Sequence, residues 1–227
     1  MSKAYRDTRA VLSLALALAC TQAGAEGTAL GIDISTLGVG GELTQRINDQ
    51  FNVRLNVNGL QLNHGDTIDN IRYDADIRLF TAGLIGDWII LDTRFRLSAG
   101  VFYNGNKADL TSQPTDGTYR INGITYNADD VGDLSGRVDF NRFSPYLGVG
   151  WGNPVAGNDN LSFTVDVGVL FQGAANLRLD AHCAPTLSPA QCQELTDDVE
   201  AERGKAEDDI KDYRFWPVVK AGLNYRF

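Results

Sequence analysis

The last fourteen residues, RFWPVVKAGLNYRF, divide cleanly when read in twos. Phe215, Pro217, Val219, Ala221, Leu223, Tyr225 and Phe227 form one set, apolar or aromatic throughout. Trp216, Val218, Lys220, Gly222, Asn224 and Arg226 form the other, which holds the charges and the amide. A strand points alternate side chains to opposite faces. This segment therefore presents one face to an oily medium and the other to a polar one.

The same alternation recurs along the chain. Phe51, Val53, Leu55 and Val57 oppose Asn52, Arg54 and Asn56; Ile71, Tyr73, Ala75, Ile77 and Leu79 oppose Arg72, Asp74, Asp76 and Arg78. Further examples lie at 91–103, 138–152 and 161–171. A soluble sandwich also alternates. Here the polar face mixes charges of both signs with Gly and Ser, while the apolar face is dense and ends in aromatics, as a lipid-facing barrel with a polar interior requires. The 43% hydrophobic content includes no run of eighteen apolar residues, which excludes a helical membrane span but not a barrel.

Six strands follow residue 51: 51–62, 71–84, 89–104, 138–152, 161–178 and 214–227. Ahead of them, 28–47 reads as one long strand or, with a bend at Ser35–Gly38, as two, 28–35 and 38–47. Single-chain bacterial barrels have even strand counts, which selects the bend. The expected fold is all-β, an eight-stranded antiparallel transmembrane up-and-down barrel over residues 26–227. Short turns fall near 47–50, 85–88 and 153–160, and long outside loops at about 105–137 and 179–213. Pro145 and Pro217 should mark bulges or strand ends.

Residues 1–25 have the form of a signal peptide, with Lys3, Arg6 and Arg9, then the apolar stretch Val11–Cys20, then Ala23-Gly24-Ala25. Lipidation at Cys20 is the alternative. The net charge of −9 becomes −11 without these residues, since they remove three basic groups and one acid from the 20 and 29 present. That balance argues against nucleic-acid partners. It favours cationic partners, or divalent ions bridging to lipopolysaccharide. Cys183 and Cys192 remain, an even count that suggests a disulfide in an exported chain.

Residues 180–212 hold ten acids and three bases. They read as a solvated loop at the barrel mouth, with a polar helix possible over 191–211, or as an electrostatic funnel for cations. The inward basic residues should be Arg46, Arg54, Arg72, Arg78, Arg94, Arg96, Arg142, Lys220 and Arg226, and the acidic ones Asp33, Glu42, Asp74, Asp76, Asp92 and Asp166. An eight-stranded barrel is just wide enough to be filled by side chains or to hold one small ligand. These charges should pair into a lumen network, since unpaired buried charge costs several kcal/mol; the alternative is a narrow polar path for a small charged solute.

No enzymatic, cofactor or metal signature emerges. His64 and His182 lack a neighbouring nucleophile. Gly148-Val149-Gly150-Trp151-Gly152 lies on a strand with no helix following, so its glycines read as space inside a narrow barrel. Asp129–Asp133 lacks calcium-loop spacing.

A strand ending in Tyr225-Arg226-Phe227 resembles the assembly signal of bacterial outer-membrane barrels, which implies the barrel-assembly machinery as a partner. The stretches INGITYNADDVGDL, LSGRVDFNRFSPYLGVGWGN, VDVGVLFQG and WPVVKAGLNYRF are similar to CarO-type small outer-membrane barrels of Gram-negative bacteria. That resemblance implies an eight-stranded barrel surrounded by outer-membrane lipid and lipopolysaccharide. It also implies a porin-like role in uptake of small basic solutes such as ornithine, and in carbapenem entry. A closed structural or surface-interaction barrel is the other reading. The resemblance carries no site residue over.

Overall fold

The computed structural model describes residues 27–68, 71–90, 94–114, 117–131, 134–157, 159–185 and 187–227. The expected signal peptide and Asp92 lie outside them, as do the side chains of Arg72 and His64. No helix among the described residues is long and apolar enough to cross a membrane. The chain is mostly antiparallel strand: β1 (Thr28–Ser35), β2 (Gly38–Arg46), β3 (Phe51–Ile68), β4 (Ile71–Ile89), β5 (Phe95–Asn104), β6 (Lys107–Pro114), β7 (Thr118–Ile121), β8 (Ile124–Asn127), β9 (Leu134–Asp139), β10 (Phe143–Trp151), β11 (Leu161–Phe171), β12 (Asn176–Ala181) and β13 (Phe215–Arg226). Two helices interrupt them, α1 (Ala128–Val131) and α2 (Pro189–Ile210).

The ladders of β1 to β5 continue through β10, β11 and β13 and return to β1, so each of these strands has a hydrogen-bonded neighbour on both sides. The break between β1 and β2 falls at the expected bend. Gly38 sits there at φ +114°, and a Cβ on it would lie 2.7 Å from the backbone of Gly59. Only glycine suits both demands.

Three expectations about connections are corrected. The turn placed at 85–88 is strand: β4 runs on to Ile89, and Phe95 begins β5. Leu84, Gly86 and Trp88 continue the outer face there, and Ile85 and Asp87 the inner one. The segment 105–137 is not a loop but carries β6, β7, β8, α1 and the start of β9; 179–213 carries the end of β12 and the 22-residue α2, which matches the polar helix offered over 191–211. Both prolines sit in ladders with unbroken register, Pro145 opposite Val101 and Pro217 opposite Val169, so neither makes a bulge. Each lies past the last registered pair on its other side, where no ladder bond is lost.

β3 and β4 extend well past the ring, and β6, β9 and β12 continue this extension as one sheet. The register of β3 with β4 runs unbroken from Phe51 to Ile68, so each strand keeps one outer and one inner face throughout. The chemistry of those faces exchanges along the way. On β4 the outer face is Trp88, Leu84 and Phe80 within the ring, then Arg78, Asp76 and Asp74 beyond it. The inner face is Asp87 and Thr81, then Leu79, Ile77 and Ala75.

This exchange corrects the assignment of Asp74, Asp76 and Arg78 to the interior. Alternation shows that two faces differ, not which medium each meets. In the extension the apolar side chains turn inward: those of β9 and β12 pack on a folded outer module, while Leu60, Leu62, Ile77 and Leu110 of β3, β4 and β6 remain 37–50% exposed. Tyr119, Ile121, Val131, Leu195 and Val199 form the module's buried cluster, and Leu134 of β9 with Leu179 and Ala181 of β12 pack against it.

Candidate functional site: the ring interior and the outer module

Three cations and three carboxylates meet inside the ring. Arg54 of β3 is at the centre. Its Nε lies 2.6 Å from Asp87 Oδ2, Nη1 3.1 Å from Glu42 Oε2 and Nη2 3.2 Å from Asp166 Oδ1. Arg96 Nη2 lies 2.7 Å from Asp166 Oδ1, and its Nη1 donates to the Gly152 carbonyl. Lys220 Nζ is bonded to Glu42 and lies 3.5 Å from Asp166 Oδ2. Ser98 Oγ donates to Asp87 Oδ1 at 2.6 Å. Arg54, Asp87, Arg96 and Asp166 have side chains only 1% exposed. Asp33, nearby on β1, accepts hydrogen bonds from Asn56 Nδ2 at 2.9 Å and Asn58 Nδ2 at 2.5 Å.

The glycines beside this network are there for space. A Cβ on Gly150 would sit 2.6 Å from Asp166 Oδ1 and 2.7 Å from Arg96 Nε. One on Gly168 would meet Tyr146 Oη at 2.6 Å.

Above the charges, toward the extension, the interior turns apolar. Leu37, Ile85, Phe102, Tyr146, Leu170 and Val218 are each at most 3% exposed and form one cluster, with Trp216 packed against it. Phe102 and Tyr146 stack edge to face at 5.5 Å. Buried charges below and buried aromatics above thus occupy the ring interior in two layers.

The sequence-expected interior residues thus separate. Arg54, Arg96, Asp166 and Lys220 come together. Arg94 does not join them: it is exposed, with its guanidinium 5.4 Å above the Trp151 ring. Arg142 is also exposed. Asp76 and Arg78 pair with each other at 2.5 Å on the outer face of the extension, and Asp74 is exposed there too. Arg46 and Arg226 are half-buried, and Arg226 Nη1 donates to the Gly157 carbonyl at 2.6 Å. Asp87 was missed because its segment was read as a turn. The apolar alternation Leu84, Gly86, Trp88 was the signal that the strand continues.

The outer module is built around the hairpin β7–β8. Asn122 and Gly123 form its tip with positive φ values of 51° and 82°, the pair of residues a tight twisted hairpin turn favours. That Asn-Gly between Ile121 and Ile124 was legible in the sequence and went unread. α2 starts on a capping box: Ser188 Oγ accepts from Gln191 N, and Gln191 Oε1 accepts from Ser188 N. Leu195 and Val199, one turn apart, supply its buried stripe.

Acids in the expected loop have structural partners. Asp198 accepts from Asn122 Nδ2 at 2.9 Å and from Tyr126 Oη. Glu202 accepts from Asn122 N at 3.2 Å, and Arg203 joins Glu200 to Glu207. Burial and the Asp198 carboxylate together push the Tyr126 phenol up to about 12. The bonds from Tyr126 and Asn122 hold Asp198 below the usual carboxylate range. Cys183 and Cys192 are joined in a disulfide that ties α2 to the end of β12.

No protein-family model and no curated protein sequence matches this chain. Solved structures do match, two of them as follows. The crystal structure of Acinetobacter baumannii CarO is 24% identical, aligned over 91% of this chain and 100% of that one, with a TM-score of 0.57. The crystal structure of A. baumannii CarO2 is 21% identical over 90% of this chain and 100% of that one, also with a TM-score of 0.57. The fold described above is therefore similar to that of the CarO proteins.

Proposed function

We propose that the chain is an eight-stranded outer-membrane barrel of a Gram-negative bacterium, closed by its own side chains, which holds a folded acidic module at the cell surface. The apolar outer face of the ring supports the membrane placement. Ile32, Ile34, Leu55, Leu84, Phe95, Leu147, Val149, Phe163 and Val167 are all at least half exposed, a band that water would disfavour and lipid accepts. The exchange of faces at Phe80 and Arg78 supports the orientation, because the outer face turns charged where the strands leave the apolar band. The long connections then lie outside the cell and the short turns in the periplasm.

The observation that carries the closed reading is the burial of Arg54, Asp87, Arg96 and Asp166 beneath the Phe102–Tyr146 cluster. A water-filled pore would wet these charges. The role that fits is surface interaction or envelope structure, with no reaction assigned. A second reading, a narrow path for small basic solutes such as ornithine, draws on the ten acids of 180–212; it requires the apolar cluster to move. Planar-bilayer recording of the refolded protein separates the two. Silent insertions, with ornithine flux no greater than in empty liposomes, are expected; stepwise conductance would overturn the closed reading.

A further inference from the structure

The outer face of the extension sorts its charges by height. Immediately beyond the apolar band the ring carries an aromatic collar, with Phe80, Tyr103 and Phe143 in successive edge-to-face contacts at 6.3 and 6.2 Å. The next row up on the same face, read across four strands, is Arg78, Lys107, Asp139 and Asn176. The row above it is Asp76, Asp109, Arg137 and Arg178. The third is Asp74, Thr111, Ser135 and Asp180, with two acids and no base. In a chain of net charge −9, the basic side chains described on this face stand in the two rows nearest the collar; Arg72, whose side chain is outside the described ones, holds the fourth row opposite Gln113. Arg137 and Arg178 stand directly opposite each other, an arrangement of like charges that costs stability unless anions lie beside them; Arg137 is bonded to Asp109 at 2.5 Å. Arg178 is 65% exposed and its ion-pair partner among the described residues is Asp139, at 3.7 Å.

We propose that this face binds a phosphorylated glycolipid of the outer leaflet, with acyl chains on the apolar band, sugar against the collar and phosphate on Arg78, Lys107, Arg137 and Arg178. The order of chemistry along the strand matches that along the lipid. Same-face rows are about 7 Å apart, so collar and cations together span one headgroup. The existing ion pairs on this face are exposed and weak, so phosphate oxygens can replace aspartates at little cost. The inference rests on the barrel spanning the outer membrane.

The test uses the full refolded chain in a neutral detergent, titrated with bisphosphorylated lipid A and with the same lipid stripped of phosphate, bound lipid being read by native mass spectrometry. Wild type should retain the phosphorylated form and not the stripped one. Replacing Arg78, Lys107, Arg137 and Arg178 together by Gln should lower retention about tenfold or more. Arg94→Gln, at the other end of the barrel, should leave it unchanged. Should the fourfold variant fail to fold, Arg178→Gln alone should lower retention about fivefold. Equal retention of the two lipids, or by wild type and the Gln variants, overturns the proposal. Insertion into neutral phosphatidylcholine vesicles, followed by heat-modifiable mobility, tests the membrane reading separately.

Discussion

Arg54 and Asp87 meet side-on across adjacent strands, Nε 2.6 Å from Oδ2 and Nη2 2.8 Å from Oδ1. Glu42 and Asp166 bond to the same guanidinium. Arg54→Ala would leave three buried carboxylates to Arg96 and Lys220. Breaking such a network costs about 3–5 kcal/mol. Arg94→Ala, which sequence alone would place in the same network, removes only an exposed contact with Trp151 and should cost about 0.5–1 kcal/mol. Urea unfolding in lipid vesicles measures both, and equal losses would refute the separation of the two arginines.

Gly150 and Gly86 both lie on ring strands but differ in surroundings. A Cβ at Gly150 runs into Asp166 and Arg96, whereas one at Gly86 meets nothing nearer than the Ala99 carbonyl at 3.8 Å. Gly150→Ala should destabilise by about 1–3 kcal/mol, as overpacking does, and Gly86→Ala should be neutral or slightly stabilising. The same unfolding assay reads the difference.

Val167 stands on the outer face opposite Val149 and Val219, midway along β11. Arginine at the midplane of a barrel's lipid face costs about 2–4 kcal/mol, so Val167→Arg should impair insertion. A heat-modifiable band of normal intensity for this variant would mean that the face does not meet lipid.

Tyr126 and Asp198 give the outer module a pH dependence at both extremes. The Tyr126 phenol titrates near 12 in the folded chain against about 10 when unfolded. Its contribution is complete below 10 and is lost as pH rises through 12. The carboxyl of Asp198 is shifted down, so its contribution is complete above about 4 and fades as pH falls through the folded value. The difference in absorbance at 295 nm between wild type and Tyr126→Phe should show a single ionisation near pH 12. A step near pH 10 would mean that Asp198 does not hold the phenol.

What could be read from the residues followed from periodicity and from local turn chemistry. The β1–β2 division was legible because an even strand count needs a bend within 28–47, at Ser35–Gly38, and the pairing of Cys183 with Cys192 because they are the two cysteines beyond the expected signal peptide. The side of the sheet faced by Asp76 and Arg78 was not legible. Their alternation with Ile77 and Leu79 is the same whether the apolar residues face outward to lipid or inward over the ring. Arg54, Glu42, Asp87 and Asp166 come from four different strands, so only the closing of the ring brings them together. The apolar cluster above them was hidden for a different reason: Ile85 lies where a short turn is expected, and Phe102 and Val218 alternate in phase with charged and small residues.

The outer faces also record a thickness. From Phe95 to Tyr103 on β5, and from Phe143 to Trp151 on β10, the apolar side spans nine residues; from Leu161 to Phe171 on β11, and from Phe215 to Tyr225 on β13, it spans eleven. At about 3.3 Å per residue and a strand tilt of about 40°, these correspond to a slab of roughly 20–25 Å. Hydrogen bonds to both neighbours fix that height; a strand cannot lengthen without slipping its register. The bilayer must therefore adjust to the protein, thinning or stretching its chains at the perimeter. The molecule should settle most readily in a thin membrane and deform a thick one around itself.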